Sequence, residues 1–101
     1  MLPLSNNTVA VMNRLFPGEV GDTVRRLLIE RCGNKLPGCE YADSCELERI
    51  RFAVLKISLG DPERLAGAVA LANADWRDLL MEAGFGHDLK AHETWAAEMI
   101  R

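Results

Sequence analysis

The chain has 101 residues, of which 49% are hydrophobic and 27% charged, and its formal net charge is −3 at pH 7. These values predict one domain with a core of its own and exclude an intrinsically disordered chain. The acidic balance disfavours nonspecific nucleic-acid binding, and no apolar run approaches the roughly eighteen residues of a membrane span. The three cysteines, in a chain without a recognisable export signal, favour reduced thiols in the cytoplasm.

The first part of the chain predicts two short amphipathic helices. We expect residues 1–7 to be flexible and a first helix to cover about 8–16, where apolar side chains recur at helical spacing. A second helix is expected to open at Thr23, with Gly21 and Asp22 at its capping positions. Its polar face is rich in arginine, as in an ordinary surface helix.

The third predicted helix follows a long connection and starts with a capping box formed by Asp43 and Glu46. Its apolar residues cover so much of the circumference that the helix is either central in the core or half buried in an interface. The sequence leaves both readings open. We expect its solvent side to be formed by the basic residues Arg49, Arg51 and Lys56.

The fourth element carries the strongest pattern, with apolar residues spaced by three and four positions over Leu65–Ala83. Asp61 at the cap and Pro62 at the first helical position mark its start. The heptad phase favours one helix, whereas Asp75, three residues before another aspartate, resembles a fresh cap. We favour a break or kink at Asp75, and Gly84 as the end of the element.

The last predicted helix is capped by Asp88 and buries one face, formed by Leu89, His92, Trp95, Ala96 and Met99. The whole chain is therefore expected to fold as an all-α, single-domain, irregular bundle of about five or six helices. The elements at 47–59 and 65–83 should form its centre. No internal repeat or second domain is visible.

Two segments of the chain resemble those of a bacterial group. The strings ERIRFAVLK and DWRDLLMEAGF are similar to short, uncharacterised bacterial proteins that carry an ERIRFAVLK helix and a DWRDLL-x-x-AGF segment. The resemblance runs from Leu47 to Trp95, about half of the chain. It implies a bacterial helical domain, and because no activity is known for that group it implies nothing about chemistry.

The residues capable of chemistry do not form a recognisable catalytic or metal motif. The cysteines lack the short C-x2–4-C spacing of zinc sites, and the H-E-x-x-H pattern that starts at His92 lacks its second histidine. We therefore predict no metal, no cofactor and no enzymatic activity. The alternative hypothesis is a metal- or thiol-dependent protein that uses Cys45, His87 and His92, with Cys45 activated in the first turn of its helix. Weak nucleic-acid binding by convergent arginine pairs is the remaining alternative.

The function favoured by this pattern is protein–protein interaction. Tryptophan and arginine are enriched among the residues that dominate binding energy at interfaces. The candidate contact residues are Trp76, Trp95, Arg77 and Phe52. We expect an apolar helical face to bind another protein or a second copy of the chain as a homodimer.

Overall fold

Five α-helices make up the fold in the computed structural model, which describes residues 4–101 apart from the side chains at positions 44 and 45. No strand occurs among the described residues. The radius of gyration of 12.0 Å is that of one compact body of this length. The predicted all-α, irregular bundle is confirmed. Helices α1 to α5 cover Asn6–Leu15, Glu19–Arg31, Ser44–Ser58, Pro62–Ala83 and Ala91–Ile100.

Several helix starts are fixed by the side-chain caps that the sequence predicts. Asp43 Oδ1 accepts a hydrogen bond from the Glu46 amide at 2.9 Å, and Asp61 Oδ1 accepts one from the Glu63 amide at 2.9 Å. Ser5 Oγ accepts from the Thr8 amide at 3.1 Å. Such bonds satisfy amides that have no partner within the helix.

Two helices in the first third of the chain begin earlier than predicted. Helix α1 starts at Asn6, inside the segment expected to be flexible, because Ser5 caps it; residues 1–3 lie outside the described part of the chain. Helix α2 starts at Glu19 rather than Thr23, because Gly18 adopts φ +80° and turns the chain directly after α1. Gly21 then lies inside α2, where a Cβ atom would come within 2.8 Å of the Phe16 carbonyl oxygen.

Helix α3 is the centre of the bundle. It packs most extensively against α4 and also contacts α1 and α5. Four successive side chains, Phe52 to Leu55, are buried, so α3 is covered on every side. The sequence allows α3 to lie either in the core or half buried in an interface, and the structure places it in the core.

The basic residues of α3 do not form the solvent side that we predicted. Arg51 is 1% exposed, and its Nε atom donates to the Cys32 carbonyl at 3.0 Å, at the end of α2. Lys56 Nζ donates to the Ala83 carbonyl at 2.7 Å, at the end of α4, and Arg49 Nη2 donates to the Phe85 carbonyl just beyond it. The prediction was wrong because helix periodicity does not reveal that carbonyl groups at helix ends need donors from elsewhere.

Helix α4 is kinked at Asp75, as predicted. The backbone of Asp75 is extended (φ −160°, ψ 92°), and its Oδ1 atom accepts from the amides of Arg77 at 3.1 Å and Asp78 at 3.3 Å. The side chain therefore caps a second helical segment that starts at Trp76. That segment ends at Gly84, whose amide donates to carbonyls of the last turn.

The final helix starts later than its predicted cap. Asp88 Oδ1 accepts from the Lys90 amide at 2.8 Å, but α5 begins only at Ala91. Leu89 consequently lies in the connection and is 72% exposed, instead of joining the buried face of the helix. His92 and Ala96 do lie on that face, as predicted.

Replacing Arg51 by methionine tests the role of the α3 cations in stability. We expect Arg51→Met to lower the free energy of unfolding by about 1.5–3 kcal/mol, because the Cys32 carbonyl loses a charged donor. Urea unfolding gives this value, with Arg25→Met on the exposed face of α2 as the matched control, expected within about 0.5 kcal/mol of wild type. Equal losses in the two variants would contradict the structural role of Arg51.

The kink at Asp75 gives a second test. We expect Asp75→Ala to cost about 1 kcal/mol of stability, because two amides lose their acceptor, and Asp75→Asn to cost less, because asparagine also caps helices. Thermal unfolding followed by circular dichroism measures both. The cap would be unimportant if the alanine and asparagine variants melted together.

Candidate functional site

Two of the predicted contact residues belong to the core. Phe52 is 1% exposed, so a partner cannot reach its side chain in this conformation. Trp95 is half-buried, with its ring centroid 6.0 Å from Phe52 and 6.1 Å from Phe85. These aromatic contacts pack α5 against α3. Trp95 is partly exposed, as Trp76 is, so its predicted role as a contact residue stays a prediction.

The other two predicted contact residues lie together at the surface. Trp76 is partly exposed, and its Nε1 atom donates to the Pro37 carbonyl at 3.0 Å. The Arg77 guanidinium lies 5.2 Å from the centroid of the Trp76 ring, in a cation–π arrangement. The hydrogen bond fixes the indole against the loop between α2 and α3, so the ring presents a rigid surface.

A pocket of about 660 Å³ opens beside Trp76. Its walls come from α3, from the second segment of α4, from the loop at Gly38 and from residues 89–93. Four of its twelve lining residues are large and apolar, namely Ile50, Trp76, Leu80 and Leu89, and six are acidic or basic, namely Glu46, Glu48, Arg49, Lys90, His92 and Glu93. We call this site the Arg49 pocket. Its volume lies in the range of ligand-binding sites.

Arg49 is a cation with unmet bonding capacity in the wall of this pocket. Its Nη2 atom donates to the Phe85 carbonyl, but its buried Nε atom has no hydrogen-bond partner. Among the described residues, no carboxylate lies within ion-pairing distance of Arg49. A partly buried guanidinium without an anionic partner is unfavourable, and a bound anion would relieve it.

His92 lines the same pocket and is 5% exposed. Its ring lies between Phe52 and Phe85, with centroid distances of 5.8 and 6.1 Å, and its Nδ1 atom has no hydrogen-bond partner. Burial lowers the pKa of His92, Arg49 and Lys90 add to that lowering, and Glu93 and Glu48 oppose it. The imidazole is therefore neutral near pH 7.

The described thiols are poorly suited to chemistry. Cys32 is buried, which raises its pKa to about 12, although Arg51 and Arg31 oppose the shift. Burial also raises the pKa of Cys39, and Glu40 and Glu46 contribute. Because the thiolate is the nucleophile and the metal ligand, these shifts disfavour the reactive form of both groups at neutral pH.

The alternative hypothesis based on metal or thiol chemistry gains no support from the geometry. His87 is exposed whereas His92 is buried in the core. Within the described residues, no group of three or more histidine, cysteine or acidic side chains is arranged to hold a metal ion. The side chain of Cys45 lies outside the part of the chain that the structure describes.

The two arginine pairs that prompted the nucleic-acid alternative have different surroundings. Arg25 and Arg26 are exposed on α2. Arg49 and Arg51 instead donate to carbonyl groups inside the bundle. Across residues 4–101, no helix is both long and apolar enough to cross a membrane.

No family model, no curated protein and no solved structure matches the chain. The resemblance to short bacterial proteins with a DWRDLL-x-x-AGF segment therefore stays an expectation.

The buried histidine predicts a specific pH dependence of stability. The folded pKa of His92 lies below its value of about 6.5 in an unfolded chain, so the unfolded state binds the proton more readily. The contribution of neutral His92 to the free energy of unfolding is fully present above about pH 6.5. It is lost as the pH falls through the folded pKa. Urea unfolding between about pH 5 and 8 should show a smaller loss for His92→Gln than for wild type.

The control for this experiment is His87→Gln, which removes an exposed histidine. We expect it to retain the pH dependence of wild type. If His92→Gln instead lost stability with falling pH as steeply as wild type, His92 would not be the group responsible.

Proposed function

We propose that this protein is a binding module without a catalytic step, and that it holds a segment of another protein in the Arg49 pocket. The observation that carries the proposal is a preformed pocket with Trp76 in its wall, where the Arg77 guanidinium lies 5.2 Å from the centroid of the Trp76 ring. A rigid tryptophan beside an arginine is the composition of residues that dominate interface energies. An exposed leucine, Leu89, at the rim of the same pocket adds apolar surface that a partner would cover.

The pocket is a better candidate for binding than the apolar helix faces that the sequence predicts as contact surfaces. Helix α3 is apolar over most of its circumference, but Phe52 to Leu55 are already buried within one chain. A second copy therefore finds no apolar α3 face to cover. Homodimerisation stays a prediction, and the proposal commits instead to a different protein as the partner.

Two supporting observations bear on the setting and on the absence of catalysis. Cys32 and Cys39 are free, buried thiols, as expected in the reducing cytoplasm of a bacterium, where we place the protein. Their raised pKa values favour the protonated thiols near pH 7, so neither of these two cysteines is an activated nucleophile. Binding is the role that this set of side chains supports best.

Selection from a random heptapeptide library displayed with free C-termini tests the proposal. We expect it to yield peptides that bind with one-to-one stoichiometry. Leu89→Ser should weaken the binding of these peptides by about fivefold or more, because Leu89 is exposed and lines the pocket. Fluorescence anisotropy with labelled peptides measures the affinities.

Tyr41→Ser supplies the matched control. Tyr41 is 100% exposed in the loop between α2 and α3, and it does not line the pocket. Its replacement should leave peptide affinity unchanged. The proposal fails if no selected peptide depends on Leu89, or if Tyr41→Ser and Leu89→Ser weaken binding equally.

A further inference from the structure

The Arg49 pocket places large apolar side chains beside a cation, Arg49, that has no carboxylate within ion-pairing distance among the described residues. Ile50, Trp76 and Leu80 face a volume of about 660 Å³ that Arg49 also lines. The Arg49 guanidinium is held in the wall by its Nη2 bond to the Phe85 carbonyl. A site of this kind matches a ligand that carries an apolar group and a carboxylate close together.

A second residue of the pocket, His92, is 5% exposed, and its Nδ1 atom has no hydrogen-bond partner, like the Nε atom of Arg49. Both atoms are covered by protein. What the pocket offers to a ligand is therefore the part of the Arg49 guanidinium that lines it.

We propose that the Arg49 pocket recognises the C-terminal residue of a partner protein, with an apolar side chain against Trp76 and Leu80 and the α-carboxylate on Arg49. This inference rests on the proposed function and specifies which part of the partner is bound. The guanidinium is suited to the task because its donors match the geometry of a carboxylate. The Nε atom is covered, so the carboxylate contacts the part of the guanidinium that lines the pocket.

The chain terminus fits better than an internal acidic residue. In an extended peptide, successive side chains point to opposite faces, so an acidic residue next to an apolar one would point away from the pocket. At a C-terminal residue, the carboxylate and the side chain are attached to the same α-carbon. Both groups therefore enter one pocket together.

The acidic side chains around the pocket limit the ligand to one negative charge. Glu93 forms an ion pair with Lys90 at 3.4 Å, and Glu48 accepts a hydrogen bond from Ser5. Glu46 is exposed and also lines the pocket. A second acidic group on the partner would be repelled by these carboxylates, so we expect the partner's last residues to be uncharged or basic.

The test compares the selected heptapeptides as free acids and as C-terminal amides. The three tightest peptides are synthesised in both forms and titrated by isothermal calorimetry. We expect an apolar last residue in each, and an amide at least about tenfold weaker than the acid, because the charged contact with Arg49 is lost. Arg49→Met should bind acid and amide equally, whereas Arg25→Met should keep the wild-type preference.

Each result decides between distinct claims. Acids and amides that bind wild type equally, or an unchanged preference in Arg49→Met, would overturn C-terminal recognition while leaving the proposed protein-binding function intact. Absence of any pocket-dependent peptide would overturn both. If Arg49→Met does not fold, as judged by circular dichroism, acids and amides are compared on wild type and on Arg49→Lys. Lysine keeps the charge, so this variant should keep the preference for the acid.

Discussion

The fold depends on hydrogen bonds from basic side chains of one helix to the carbonyl ends of others. Arg51 donates to the end of α2, and Lys56 donates to the end of α4. Arg14 of α1 does the same at the other side of the bundle, where it donates to the carbonyls of Met99 and Arg101. Carbonyl groups in the last turn of a helix lack internal partners and carry partial negative charge, so a cation satisfies both needs.

This constraint explains why the central helix is covered on all sides and still carries three basic residues. Its apolar side chains fill the core, and the cations reach past them to the ends of α2 and α4. Because the side chains of α3 make contacts inside the bundle, the surfaces that remain for binding lie elsewhere. They lie at the second segment of α4, where the kink at Asp75 sets Trp76 against Pro37, and at the exposed connection around Leu89.

Arg49 connects this architecture with the candidate site. It belongs to the same set of α3 cations, and its bond to the Phe85 carbonyl has the same form as those of Arg51 and Lys56. It differs from the other two because it also lines a pocket, and its covered Nε atom has no hydrogen-bond partner. A group that is incompletely satisfied within the fold is a frequent sign of a functional role.

The local features of the fold were predictable from the sequence, and the long-range ones were not. The caps at Asp43, Asp61 and Asp75 were predictable because a cap is a contact between residues two or three positions apart. The burial of Arg51 depends on a carbonyl nineteen positions away, which no periodicity reveals. The site was predicted only in part: Trp76 and Arg77 meet at the surface, whereas Phe52 is core.

The pocket itself could not have been found by spacing. Its walls come from segments that meet only after α3, α4 and the connection before α5 have packed. The cap at Asp88 predicts an earlier helix start, which would place Leu89 on a buried helix face. Leu89 is exposed at the pocket rim because α5 starts only at Ala91, and that start depends on the packing of Trp95 against Phe52.

The most direct test of this account is native-state hydrogen exchange of the backbone amides. If α3 is the covered centre on which the other helices depend, the amides of Leu47–Ser58 should exchange only through global unfolding. The amides of α5 should exchange through smaller openings of lower free energy. Exchange of α3 at a lower free energy than α4 or α5 would contradict the central claim that its side chains organise the bundle.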